Sequence, residues 1–159
     1  MNEIDRLVAI EDIRALKARY FRGVDTKDWA LLGEVMAEDV TCDYRGSATD
    51  PATGVNFAPA ATGEPLSGSA AVIAGLQHSL AGIVSAHQGY LPELSILDEH
   101  TAEGIWAMYD TLRFPPGHEL SELSGFGHYF ERYQKIGRKW RIRTLKLVRI
   151  RVDIVKARG

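Results

Sequence analysis

The second half of this chain is four strand-like runs in succession, at about 84–97, 101–114, 124–136 and 139–153. Each is rich in β-branched and aromatic residues at alternating positions, with turn signals between them. Asp98-Glu99-His100 and Ile136-Gly137-Arg138 read as hairpin turns, and Pro115-Pro116-Gly117 breaks the second run to open a longer connection. Strands joined by short turns pair antiparallel, so this half must form a sheet of neighbouring strands. A sheet with an apolar face needs cover, and the N-terminal half has to supply it.

That half reads as helices. From Glu3 to about Asp25, apolar residues at Ile4, Leu7, Val8, Ile10, Ile13, Leu16 and Tyr20 follow the three-to-four spacing of an amphipathic helix with one buried stripe. Thr26-Lys27-Asp28 supplies a break and a cap, and Trp29, Leu32, Val35 and Met36 mark a second, shorter helix. Asp39 to Tyr44 alternates like a first strand. Ser67-Gly68-Ser69 then caps a third helix with Val72, Ile73, Leu76 and Leu80 on its buried side. Between strand and third helix, 18 of the 25 residues from Arg45 to Ser69 are Gly, Pro, Ala, Ser or Thr, which marks an insertion with the character of a lid, an oligomer contact or a mobile surface loop. The expected architecture is α+β: a curved mixed or antiparallel sheet wrapped around N-terminal helices, in a single domain over 1–159 with a loop insertion at about 45–69.

The totals narrow the function. A formal charge of −2 provides no basic field for nucleic acid. No apolar run reaches the roughly 18–20 residues of a membrane helix. The start, Met1-Asn2-Glu3-Ile4-Asp5, is acidic rather than signal-like. One cysteine, Cys42, excludes an internal disulfide and a cysteine-rich metal site. The expectation is a cytoplasmic protein without nucleic-acid or membrane partners.

Polar residues on apolar faces are the candidates for chemistry. Along the second long strand one face reads Ala102, Gly104, Trp106, Met108, Asp110, Leu112, Phe114, with Asp110 its only charge. A buried carboxylate needs a partner. A regular hairpin places His87 of the preceding strand opposite about residue 111, beside Asp110. A carboxylate next to an imidazole fixes the ring's tautomer and raises its basicity, which makes a general base. The alternatives are a core histidine bonded to a carbonyl and an aspartate that ties strands together. Tyr20 and Asp25 stand at the end of the first helix, where Asp25 either supports a tyrosine donor or caps the turn. Arg149, after two leucines, is the arginine of the last strand best placed to turn inward. Trp106 and Met108 share the face of Asp110, and Phe126 and His128 follow on the next strand; these four are the expected substrate contacts. His78, His100 and His118 are expected in solvent. No metal-ligand spacing and no phosphate-binding glycine loop occurs.

Val8-Ala9-Ile10-Glu11-Asp12-Ile13-Arg14-Ala15-Leu16-Lys17-Ala18-Arg19-Tyr20, followed by Val24-Asp25-Thr26-Lys27-Asp28-Trp29, resembles the opening of the SnoaL-like proteins of the nuclear transport factor 2-like superfamily. Ala86 to Leu94, Gly104 to Asp110, Gly127 to Tyr133 and Trp140 to Asp153 resemble that family's central hairpin and last two strands. The resemblance implies a cystatin-like α+β cone. Within the superfamily the site pattern is most similar to bile-acid 7α-dehydratases, with scytalone dehydratase and a hexachlorocyclohexane dehydrochlorinase more distant. It places catalytic roles on Tyr20, Asp25, His87, Asp110 and Arg149, with Arg151 as the alternative to Arg149. Gln88 stands where those dehydratases commonly carry a second histidine. The expected function is a cofactor-independent lyase of dehydratase type acting on a hydrophobic, steroid-like or polycyclic molecule. The alternatives are an isomerase of ketosteroid-isomerase type and a non-catalytic ligand-binding or subunit module. A homodimer or homotrimer is expected.

Overall fold

The structure is a computed structural model and describes residues 1–58 and 63–158; residues 59–62 of the predicted insertion lie outside the described residues. Helix α1 (Glu3–Thr26) starts at a capping box, in which the Asn2 side chain accepts from the Asp5 amide and Asp5 accepts from that of Asn2. It ends at Lys27, in left-handed conformation with φ 59°. Asp28 caps α2 (Trp29–Val35) by accepting from the Leu31 amide at 3.0 Å. Gly23 lets the two helices touch, since a Cβ there would meet Leu32 at 3.0 Å. Strand β1 (Met36–Asp43) begins immediately, so Met36 enters the sheet rather than the helix that its spacing suggested.

After the insertion come β2 (Leu66–Ser67) and α3 (Ser69–Ser79), then β3 (Val84–Gly89), β4 (Glu93–Ile96), β5 (Thr101–Arg113), β6 (Leu120–Ile136) and β7 (Lys139–Lys156). The sheet runs β2-β1-β7-β6-β5-β3, with β4 also paired to β5. Among the described residues only β1 and β7 run parallel, and the other pairs are antiparallel. The fold is α+β, with a large curved mixed sheet over N-terminal helices. The core joins Ala9, Ile13, Leu16, Tyr20 and Val24 of α1 to inward residues of the sheet, among them Met108, Tyr129, Ile142 and Leu145. Each fully buried aliphatic side chain of this kind contributes about 1.5–3 kcal/mol. The helix stripe is shorter than its periodicity implied: Ile4, Leu7 and Val8 are exposed, and burial begins at Ala9.

Three irregularities set which side chains face inward. The predicted run 84–97 is two strands. β4 keeps the register of a regular hairpin, pairing Glu93 with Ile105, but across Tyr90-Leu91-Pro92 the register slips by one residue and His87 pairs with Asp110. In β7, one bulge at Arg143 and another at Ile150 each reverse the alternation. Trp140, Ile142, Leu145, Leu147, Arg149 and Val152 therefore all face inward, while Arg141, Arg143 and Arg151 do not.

Candidate active site

Between the open end of the sheet, the end of α3 and residues 45–58 and 63–66 lies a cavity of about 370 Å³, at the small end of the range of about 300–1,000 Å³ typical of ligand pockets. Its outer wall is mostly apolar, from Phe57, Leu66, Leu76, Leu80, Leu112 and Phe114 among others, with Arg45, Glu64, His78 and Ser79 beside them; its inner end carries Tyr20, Tyr44, His87, Asp110, Tyr129 and Arg149.

His87 is held by Asp25, through both its ring and its backbone. Its Nδ1 lies 2.6 Å from Asp25 Oδ1, and its backbone N–H donates to Asp25 Oδ2 at 2.7 Å. Ser85 Oγ donates to the same carboxylate at 2.9 Å. A carboxylate that gathers these donors is an acceptor, which puts the ring proton on Nδ1 and leaves the lone pair on Nε2. Nε2 sits 3.6 Å from Asp110 Oδ2, beyond a hydrogen bond, with Asp110 already engaged by Arg149 Nη2 at 2.8 Å.

Each of the three Arg149 guanidinium nitrogens has a partner. Its Nε donates to the Ser47 carbonyl at 2.7 Å, and its Nη1 lies 3.2 Å from Met108 Sδ. The Asp110–Arg149 pair rests on Gly125, whose missing side chain leaves the space that the guanidinium and Asp110 Oδ1 occupy. Asp110 Oδ1 itself has no hydrogen-bond partner.

Tyr20 and Tyr44 share a hydrogen bond at 2.9 Å. Burial pushes both hydroxyls well above the usual tyrosine range, so both stay protonated. Two hydroxyls that share one hydrogen bond leave one O–H proton for a third oxygen.

The structure brings Tyr20, Asp25, His87, Asp110 and Arg149 to this end of the fold, with changed partnerships. Asp25 orients His87 rather than supporting Tyr20, because five residues along a helix turn the two side chains well apart; Tyr44 takes that supporting place. Asp110 does not orient the ring and instead anchors Arg149. Trp106 and Met108 face inward but outside the cavity lining, Trp106 donating to Tyr133 at 2.7 Å. Phe126 and His128 lie on the opposite face of the sheet, where Phe126 packs on Tyr109 with ring centroids 4.8 Å apart. Glycines at 125 and 127 occupy the inward positions there, so bulk pointed to the wrong face. His78 lines the cavity mouth although exposed, while His100 and His118 are exposed as expected. Tyr44, Ser85 and Tyr129 were missed, although Tyr44 continues the inward alternation of Val40 and Cys42, and Ser85 shares the parity of His87.

A profile of the SnoaL-like domain matches residues 5–146. The chain belongs to the SnoaL-like domain family. Solved structures agree on the fold. A scytalone dehydratase-like protein from Novosphingobium aromaticivorans superposes with TM-score 0.78 at 15% identity, covering 99% of this chain and 95% of that one. A type 2 hexachlorocyclohexane dehydrochlorinase (LinA) gives TM-score 0.76 at 15% identity, with 97% and 93% covered. The Kfla4162 protein from Kribbella flavida gives 0.74 at 20% identity, with 95% and 94% covered. Among the described residues of this SnoaL-like protein, no helix is long and apolar enough to cross a membrane.

Proposed function

We propose that this SnoaL-like protein is a cofactor-independent lyase of dehydratase type acting on a hydrophobic, polycyclic or steroid-like small molecule. One observation carries the reading: Asp25 holds the ring of His87 so that an unpaired Nε2 stands at the polar end of a largely apolar cavity. The names of two structural neighbours, a dehydratase and a dehydrochlorinase, both denote loss of a proton and a leaving group. The set Tyr20, Asp25, His87, Asp110 and Arg149 also resembles the site pattern of bile-acid 7α-dehydratases.

In the proposed step, Nε2 takes a proton from a carbon next to the hydroxyl-bearing carbon. The C–H electrons form the double bond as the C–O bond breaks, and the leaving oxygen takes a proton from the Tyr20–Tyr44 pair to depart as water. The imidazolium so formed lies between two carboxylates, Asp25 and Asp110. Its proton then returns to the tyrosine through solvent, which balances the cycle. An isomerase uses the same base and differs in having no leaving group.

Incubation with neutral hydroxylated ring compounds and analysis of product mass tests the reading. Loss of water supports the lyase, unchanged mass with a moved double bond supports the isomerase, and saturable binding without turnover supports a binding module. His87→Ala is expected to lower kcat/KM by about 10²–10⁴-fold with the fold intact. Unchanged turnover in that variant removes His87 from the mechanism.

A further inference from the structure

We propose that Lys27 and Ser85 are positioning residues for His87: together they fix Asp25 as an ionised acceptor and so dictate which ring nitrogen faces the cavity. This rests on the reading of His87 as the base. The motivating outlier is the backbone of Lys27, the only non-glycine residue at positive φ among the described residues. A residue with a Cβ is strained there by about 1–2 kcal/mol, and glycine is the ordinary choice where a helix ends in this conformation. A lysine brings a side chain that glycine lacks.

That side chain starts a directional chain. Lys27 Nζ donates to Ser85 Oγ at 3.0 Å, Ser85 Oγ donates to Asp25 Oδ1 at 2.9 Å, and Asp25 Oδ1 lies 2.6 Å from His87 Nδ1. An ammonium has donors only. Ser85 must therefore accept from Lys27, and its single proton goes to Asp25. Asp25 in turn must accept on Oδ1, which forces the proton of the neutral ring onto Nδ1 and the lone pair onto Nε2. Ser85 is 7% exposed, so water does not substitute freely for the lysine.

Lys27 also donates to the Val24 carbonyl at 3.2 Å, an ordinary helix-ending contact. Capping accounts for that bond but not for the second one, to Ser85. The amine is half-buried; burial lowers its proton affinity and the Asp25 carboxylate opposes that effect. The charged groups around His87 are Asp25 from α1 and Asp110 from β5 with Arg149 of β7 behind it, and Lys27 adds one cation beyond Asp25. Asp28, next in the chain, is turned to the Leu31 amide.

Imidazole nitrogen NMR of the whole protein tests the arrangement without any substrate. In the native protein the neutral His87 ring is expected to carry its proton on Nδ1. Lys27→Gly removes the cation and relieves the backbone strain, so the fold is kept. The share of the neutral His87 ring that carries its proton on Nδ1 is expected to fall in that variant, read from the two ring-nitrogen shifts. Ser85→Ala should lower it in the same way, and Lys27→Arg should restore the native tautomer. An unchanged tautomer in both Lys27→Gly and Ser85→Ala, or a native neutral ring protonated on Nε2, overturns the proposal. A substrate panel with no turnover counts against the lyase alone, because the NMR result is independent of it.

Discussion

Two buried ion pairs stand on the inner side of the sheet, and they are built to opposite ends. Lys17 and Glu131 are wholly enclosed, with no exposure of either side chain. The ammonium lies over the rings of Tyr20, Phe21 and Tyr129 at 4.3, 4.6 and 3.7 Å, and Glu131 also accepts from the Tyr133 hydroxyl. Asp110 and Arg149 are about as buried, at 4% for each side chain. They nevertheless form part of a cavity wall, leave one carboxylate oxygen unpaired and face an imidazole. Burial and charge are thus common to both pairs. Unused hydrogen-bonding capacity beside open space belongs to the second pair alone, and that marks a site.

The first way to break the comparison is Lys17→Met. It strands Glu131 as an uncompensated buried charge, and a stability loss of about 3–5 kcal/mol is expected by chemical denaturation. Adding Glu131→Gln should recover much of it, since the second change removes the orphaned charge. A loss below 1 kcal/mol, on the order of an exposed pair, would mean that the enclosed pair contributes nothing special.

Gly125→Ala acts on the other pair. The new methyl takes the space of the guanidinium and of Asp110 Oδ1, and overpacking of this kind costs about 1–3 kcal/mol. Turnover should fall with it, because the wall beside His87 moves. Full stability and turnover in this variant would show that the pair can shift without consequence.

The smallest expected effect is that of Tyr44→Phe, which removes the partner of the Tyr20 hydroxyl. A loss of about 0.5–1.5 kcal/mol should accompany a weaker affinity for ligands with an acceptor oxygen, read by calorimetry. Unchanged affinity would take the tyrosine pair out of ligand recognition.

Much of this was legible in the sequence, and the failures share a cause. Long periodic segments such as α1 and β5 declared themselves, and Asp110 stood out as the one charge on an apolar strand face. Alternation failed wherever the ladder skipped a residue. Two bulges in β7 put Arg149 inside and Arg151 outside, which no count of parity from Arg141 could decide. The slip at Tyr90–Pro92 moved His87 from opposite Thr111 to opposite Asp110. In β6 the inward face is disguised by Gly125 and Gly127, while Phe126 and His128 gave the outer face its apolar look. Partnerships were less legible than positions: Asp25 was placed at the site, but only the fold shows that it meets His87 and not Tyr20.

The cavity has walls of two different origins. Its polar end is fixed by helix α1 and by strands β3, β5 and β7, whose register is locked by ladders on the sheet. Its outer wall is built largely from residues 45–58 and 63–66 and the end of α3; Arg149 joins it to the polar end by the bond to the Ser47 carbonyl, and the pairing of Leu66 with Cys42 joins it to β1. Substitutions at described residues of that wall, such as Ala48, Phe57 and Leu66, are therefore expected to alter which molecules fit the cavity while leaving the ladders that hold His87, Asp110 and Arg149 in register. Under the proposed function, shape selection and proton transfer sit on different parts of the fold, so a search for altered ligand selection starts at that wall.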